Sequence, residues 1–281
     1  MKLVSFGEHE KMRAGAAVDG EIIDLSTADA SLPATVTDIL EQDALEAAAR
    51  AALSGKGKRV PEDSVHLGAP IARPSKIVCV GLNYRDHAEE QNVPLPEHPL
   101  LFSKASSAVI GPYDEVVLPE DSSQVDYEVE LAVVIGRRAR NVPVGEAYGY
   151  IAGYTVANDV SARDIQFRQQ QWHQGKSYDT FFPMGPYLVT KDEIPDPNTL
   201  GVRFALNGQT LQNSNTDNLI FNVPALVSRI SKIMTLFPGD VISTGTPAGV
   251  GIFRNPKILL KSGDVMETTV EKIGTLRNRV R

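Results

Sequence analysis

The stretch Asp126-Tyr127-Glu128-Val129-Glu130-Leu131-Ala132-Val133-Val134-Ile135 constrains this chain more than any other. Acidic and apolar residues alternate over its first half, and a period of two is the mark of a strand. On a strand, Asp126, Glu128 and Glu130 share one face while Tyr127, Val129 and Leu131 take the other. Three carboxylates on one face repel one another. At about 7 Å and an effective dielectric of about 20, each ionised pair costs roughly 2 kcal/mol. A cation would remove that cost, and so would solvent at a sheet edge, where acids discourage edge-to-edge pairing. The run Leu131 to Ile135 is apolar on both faces, so the strand enters a core and sets its acids at the core's mouth. A divalent-cation site and a charge-guarded edge both remain open from this strand alone.

With 281 residues, the chain sits near the length at which one core divides, so a large domain and a small one are expected. A net charge of −7 and a pI near 5.3 argue against nucleic acid or an anionic membrane as partner and favour small molecules. The single cysteine, Cys79, lies in the apolar run Ile77-Val78-Cys79-Val80, which excludes an intrachain disulfide and a thiolate zinc cluster. No apolar stretch is long enough for a signal h-region or a membrane span. A soluble, cytoplasmic protein is expected.

Residues 1–70 read as a small unit with strands at Leu3 to Phe6, Ala14 to Val18 and Glu21 to Leu25, the last two joined by an Asp19-Gly20 hairpin turn. An alanine-rich helix is expected from Asp43 to Leu53, ending before Gly55. His9 and His66 read as surface histidines. Pro70 to Ser75, with two prolines and no periodicity, marks the boundary to a second unit, 71–281. There, strands are expected at 77–81, 100–103, 115–118, 127–135, 150–158, 202–207, 209–212, 241–245 and 264–271. Helices are expected at about 84–91, 161–171 and 224–236, the last with Leu226, Val227, Ile230, Ile233 and Met234 as its core face. Strands outnumber helices without alternating with them, which predicts an antiparallel or mixed β architecture within an α+β, β-rich class.

Several common chemistries are excluded. Gly175-Lys176-Ser177 ends like a phosphate loop, but the leading glycine is replaced by Gln170. Gly245 to Gly251 lacks the dinucleotide spacing and carries Pro247 where a helix would open. Neither G-x-S-x-G nor H-E-x-x-H occurs. What remains is acidic. Asp159, at an expected strand-to-helix junction, is a third oxygen donor or an ordinary turn residue. Ser161 and Asp164 have capping-box spacing. Two glutamates and an aspartate would suit a hard ion such as Mg²⁺ or Mn²⁺, and zinc less well. Upstream, Asn83 is a candidate helix cap. His87 and Glu90 stand three apart on the expected helix, which describes either a surface ion pair or a histidine oriented by a carboxylate to take a proton. Lys104 and Lys176 lie in apolar or glycine-flanked surroundings, from which either could snorkel to solvent.

Taken together, the residues resemble the fumarylacetoacetate hydrolase family, in its shorter bacterial and mitochondrial form. The likeness runs over about residues 74–281 through Gly81-x-Asn83-Tyr84-x-x-His87-x-x-Glu90, Phe102-x-Lys104, Tyr127-Glu128-x-Glu130-Leu131, Asn158-Asp159-x-Ser161-x-Arg163-Asp164-x-Gln166, Gly175-Lys176-Ser177-Tyr178-Asp179-Thr180-Phe181 and Pro238-Gly239-Asp240-Val241-Ile242-x-Thr244-Gly245-Thr246-Pro247. The resemblance implies a mixed β-sandwich or roll as catalytic domain beside a small N-terminal α/β domain, and a homodimer. It implies Mg²⁺ or Mn²⁺ on Glu128, Glu130 and Asp159, with Asp126 left a supporting role. It further implies a water-activating pair, His87 and Glu90, on a segment that closes over substrate. Lys104, Arg163, Gln166 and Thr246 would line the substrate pocket, with Lys176 near the metal.

Family substrates are 2-oxo acids or their enols, whose carboxylate and 2-oxo oxygen can chelate one metal. The expected reaction is therefore hydrolysis of a carbon–carbon bond in a 2,4-dioxo acid such as an acylpyruvate, with an enolate leaving group and His87 activating water. Oxaloacetate decarboxylation, isomerisation of a hydroxydiene dioate and ureidoglycolate lysis are the alternatives on the same metal site.

Overall fold

The computed structural model describes residues 1–8, 11–168 and 170–281; His9 lies outside them. A twelve-stranded mixed sheet dominates. Its path runs Arg59–Pro61, Glu21–Asp24, Arg13–Val18, Lys2–Phe6, Phe182–Thr190, Ile151–Asn158, Val129–Ile135, Val241–Ser243, Ile77–Gly81 and Leu100–Lys104. Pairing along this path is antiparallel except between Val241–Ser243 and Ile77–Gly81, where Val241 opposes Ile77. A four-stranded antiparallel sheet holds Gln209–Asn215, Gly201–Leu206, Val265–Val270 and Gly274–Arg279 in that order.

Val129–Ile135 runs through the middle of the large sheet and is buried on both faces, which explains its continuous apolar half. Val129, Leu131 and Val133 face the four-stranded sheet together with Phe204, Met266 and Leu276. Tyr127 stacks flat on Phe204, ring centroids 4.0 Å apart. Ala132 and Val134 point the other way, toward Leu3, Ile39, Leu40 and Phe182. The acids at the head of this strand therefore stand between two packed layers.

The strands of residues 1–70 continue the large sheet, because Lys2 and Leu3 pair with Val189 and Leu188. Their docking strand, Phe182–Thr190, was not expected from sequence: Pro183, Gly185 and Pro186 argue against a sheet interior. It is accommodated by irregular pairing, with a register shift against Ile151–Asn158.

Four further expectations are corrected. The helix over 161–171 is a two-residue strand, Ser161–Ala162, followed by short helices Arg163–Gln166 and His173–Lys176. Ser161 and Asp164 form no capping box: Ser161 Oγ donates to the Asp159 carbonyl, and Asp164 accepts from Ser122 and Ser123. The stretch 115–118 makes only a bridge, Val116 to Val280. The helix expected over 224–236 spans Val223–Ile233, capped by Asn222, and its last residue Ile233 faces solvent.

Candidate active site

The acidic stretch does not form one strand. Val125–Asp126 pairs with Ser161–Ala162, Tyr127 and Glu128 belong to neither strand, and the large sheet resumes at Val129. Asp126 is a hub: its carboxylate accepts from the backbone N–H of Tyr127, Gly251 and Ile252 and from Arg163 Nε. Glu128 and Glu130 meet Asp159 instead. One oxygen from each of the three lies within 4.8 Å of the others, and all three side chains are buried. Backbone bonds fix the grouping, since the Asp159 N–H donates to the Glu128 carbonyl and the Glu128 N–H to Asn158 Oδ1.

Cations surround the cluster on one side. Lys176 Nζ lies 2.8 Å from Glu128 Oε2 and 2.9 Å from Asp159 Oδ2. Lys104 Nζ lies 2.6 Å from Asp159 Oδ1 and donates to the Val160 carbonyl. Arg163 Nη2 lies 2.7 Å from Glu128 Oε1 while its Nη1 donates to Gln166 Oε1. Glu130 has no cation of its own; its Oε2 accepts from Ser243 Oγ and the Gly245 N–H. Gly245 reaches it at φ +102°, and a Cβ there would sit 2.9 Å from Asn83 Cβ and from the Val80 carbonyl oxygen.

These surroundings separate the two glutamates electrically. Burial pushes both upward. At Glu128 the ammonium of Lys176 and the guanidinium of Arg163 outweigh burial and hold it down at about 2. At Glu130 the charges of Asp159 and Glu128 add to burial, so it is raised well above the carboxylate range. Burial lowers Lys104 against the pull of Asp159, whereas Asp159 and Glu128 together raise Lys176 despite burial. Four acids (Asp126, Glu128, Glu130, Asp159) face three cations (Lys104, Arg163, Lys176), which leaves one negative charge at Glu130. An all-oxygen donor set with surplus negative charge fits a hard divalent cation.

Across the cavity stands the His87 pair. The chain leaves Ile77–Gly81 through Leu82, held at φ +51°, and enters the helix Arg85–Glu90. Tyr84, not Asn83, occupies the cap position; Asn83 is buried and ties Phe221 and Thr244 together through its amide. His87 Nδ1 lies 3.0 Å from Glu90 Oε2, and the other Glu90 oxygen accepts from the Gly249 N–H. The Gln91 amide nitrogen stands 2.8 Å from His87 Nε2. Donation from that amide to Nε2 would leave Nδ1 to donate to Glu90.

A cavity of about 210 Å³ joins the two groups. Glu128, Glu130, Arg163, Gln166, Lys176 and Thr246 form its polar floor, with His87 and Gln91 at the side. Asp159 and Lys104 are not among the lining residues; Lys104 stands behind Asp159 as its buried counter-ion. Thr246 Oγ1 donates to the Val129 carbonyl and accepts from Gln212 Nε2, whose own carbonyl holds the Val129 N–H. Sequence reasoning missed Gln212, Ser243 and the apolar walls, including Phe102 and Trp172, whose rings meet edge to face at 5.3 Å. Gln212 closes the strand expected at 209–212, and nothing in that stretch marks it as a partner of Thr246.

Residues 76–281 match the family described as fumarylacetoacetate (FAA) hydrolase C-terminal. The chain belongs to the fumarylacetoacetate hydrolase family. Over 289 residues it is 46% identical to a human mitochondrial oxaloacetate tautomerase, covering 100% of this chain and 91% of the relative. A putative HpcE protein from Mycobacterium smegmatis superposes with a TM-score of 0.91 at 38% identity, covering 100% of this chain and 99% of that one. A maleylpyruvate hydrolase from Sphingobium, solved with manganese(II) and pyruvate, superposes at 0.84 and 32% identity, covering 100% and 98%. The strand-rich α+β fold is thus the family's fold, and the family is enzymatic. The expected cytoplasmic location does not stand, since the human relative is mitochondrial. Transit peptides are recognised outside the folded domain, so the composition of the enzyme itself carries no record of its compartment. Among the described residues no helix is long and apolar enough to cross a membrane.

Proposed function

We propose that this chain is an oxaloacetate tautomerase that uses Mg²⁺ or Mn²⁺, and that it interconverts the enol and keto forms of a small 2-oxo acid. The observation that carries this reading is the placement of His87, paired with Glu90, across one small cavity from three converging carboxylates. Full-length identity to a named oxaloacetate tautomerase supports it. Glu128, Glu130 and Asp159 would hold the metal, which when bound would polarise the 2-oxo group and favour the enolate.

The remaining work belongs to side chains. Lys176 and Arg163 keep Glu128 ionised and in place. The amide nitrogen of Gln166, whose oxygen is held by Arg163, would orient the substrate head, and Thr246 completes the floor beside it. His87 Nε2 takes the C3 proton of the keto form or returns it to the enol, and Glu90 steadies the imidazolium that forms on the way. Gln91 must release Nε2 when substrate arrives.

Hydrolysis of acylpyruvates is the second reading, favoured by the same His87–Glu90 pair, which could equally deprotonate water, and by likeness to a maleylpyruvate hydrolase. The deciding experiment follows enol-oxaloacetate and acetylpyruvate by absorbance, with Mg²⁺ and after EDTA. Loss of enol-oxaloacetate faster than in buffer, without pyruvate formation, supports the tautomerase. Release of pyruvate from acetylpyruvate supports the hydrolase, and full turnover after exhaustive EDTA treatment would sink the metal assignment.

A further inference from the structure

Beyond its floor and the His87–Gln91 side, the described lining of the cavity is apolar. Toward solvent its walls are Val93, Leu100, Phe102, Phe167, Trp172 and Phe253. Four of these, Val93, Leu100, Phe167 and Phe253, belong to the eleven large apolar side chains that the described residues leave exposed, so exposed apolar surface is concentrated at this mouth. The wall is also built to a shape. Trp172 packs edge-on to Phe102 and against Gly81, where a Cβ would come within 2.6 Å of the indole. Any side chain larger than hydrogen at 81 would displace that ring.

Charge completes the picture. Among the lining residues the permanent cations are Arg163 and Lys176, both at the floor. Lys176 sits between two carboxylates, and each of the three Arg163 nitrogens already faces a protein oxygen. Both are held by protein carboxylates at the floor, and no cation lines the wall among the described residues. The second carboxylate of oxaloacetate gains nothing from these apolar walls. An apolar tail would gain by leaving water.

We propose that the site also tautomerises 2-oxo acids carrying an aryl or branched apolar tail, with phenylpyruvate as the representative, the tail lying against Leu100, Phe102 and Trp172. This rests on the tautomerase reading of the floor. The step balances without a co-reactant: the enol O–H bond breaks, a C3–H bond forms, and one proton leaves as one arrives.

The test follows enol-phenylpyruvate and enol-oxaloacetate in parallel, in Mg²⁺, with the native protein and with Leu100→Arg and Val93→Arg, both at partly exposed positions that tolerate a charge. The expected result is accelerated loss of both enols, with kcat/KM for phenylpyruvate at least equal to that for oxaloacetate. Each arginine variant should shift the ratio toward oxaloacetate by roughly tenfold. Acceleration of oxaloacetate alone would overturn this inference and leave the proposed function standing. Acceleration of phenylpyruvate alone would uphold the inference and remove oxaloacetate as substrate. Acceleration of neither would remove both, and an unchanged ratio in both variants would remove the wall as the tail's contact.

Discussion

Lys176 Nζ stands 2.8 Å from Glu128 Oε2, and both side chains are buried. The lysine is the reason Glu128 stays ionised inside the protein, and the glutamate is the reason the lysine stays charged. Neither group could be buried alone at acceptable cost. The Lys176→Met variant therefore leaves Glu128 with Arg163 alone and Asp159 with Lys104 alone, beside a third carboxyl at Glu130. It should lose about 3 kcal/mol of stability in EDTA and less than that in Mg²⁺, because a bound cation replaces part of the missing charge. Thermal melts of both proteins in the two buffers check this; an equal loss in both would mean that metal and lysine serve different carboxylates.

Glu130 predicts the opposite sign. Burial and the charges of Asp159 and Glu128 raise it, so the folded state holds its proton more tightly than the unfolded chain. Such a group opposes folding as pH climbs above its unfolded value near 4.5, and adds no such penalty below it. Glu130→Gln should accordingly stabilise the metal-free protein by about 1 kcal/mol at neutral pH, with the gain shrinking toward pH 4.5. The same variant should bind Mn²⁺ at least tenfold more weakly, since a ligand is lost. Denaturation across pH and titration with Mn²⁺ read the two effects separately. A variant both less stable and unchanged in Mn²⁺ affinity would remove Glu130 from the metal site.

The His87 pair makes a kinetic prediction. His87→Ala should lower kcat by roughly 10² to 10⁴ while leaving binding of an unreactive 2-oxo acid analogue within a few-fold. Glu90→Gln should cost less, about tenfold to a hundredfold, because the amide still accepts from the Gly249 N–H while losing the charge that steadies the imidazolium. Steady-state kinetics together with calorimetry of the analogue separate the two parameters. If analogue binding fell in step with kcat for His87→Ala, the histidine would be a binding group and not the proton carrier.

What the sequence disclosed and what it hid can be seen on the acidic stretch itself. Alternation identified a strand, and the apolar run Leu131–Ile135 placed it in a core; both hold. Alternation carries no information on strand partners, so it could not show that the ladder is interrupted between Asp126 and Val129 and that Asp126 is held by four donors. Spacing likewise brought His87 and Glu90 together, as a helix of any environment would. Only packing reveals that Glu90 is anchored by Gly249, over 150 residues away in the chain. Phe182–Thr190 was hidden for another reason. Its two prolines weaken every local strand signal, and its strand identity comes from neighbours on both sides, Lys2–Phe6 and Ile151–Asn158. The sheet is thus legible where residues state their own burial and opaque where neighbours impose it.

The first 70 residues offer a prediction away from the active site. Asp24 closes the strand Glu21–Asp24, is 4% exposed, accepts from Ser26 and lies 2.6 Å from Arg13 Nε. Burial raises its carboxyl, but Ser26 and then Arg13 outweigh that and hold it below its ordinary 3.8. A carboxyl lowered on folding stabilises the protein above its unfolded value, and that contribution disappears as pH falls through the folded one. Asp24→Asn keeps the shape and removes the charge. It should cost about 2 kcal/mol at neutral pH, in line with hydrogen bonds to a charged group, and progressively less below pH 3.8. Urea denaturation of both proteins at neutral and acid pH measures the difference directly. A gap that stays constant down to strongly acid pH would show that Asp24 acts through its shape and its Ser26 bonds alone, with its charge irrelevant to the fold.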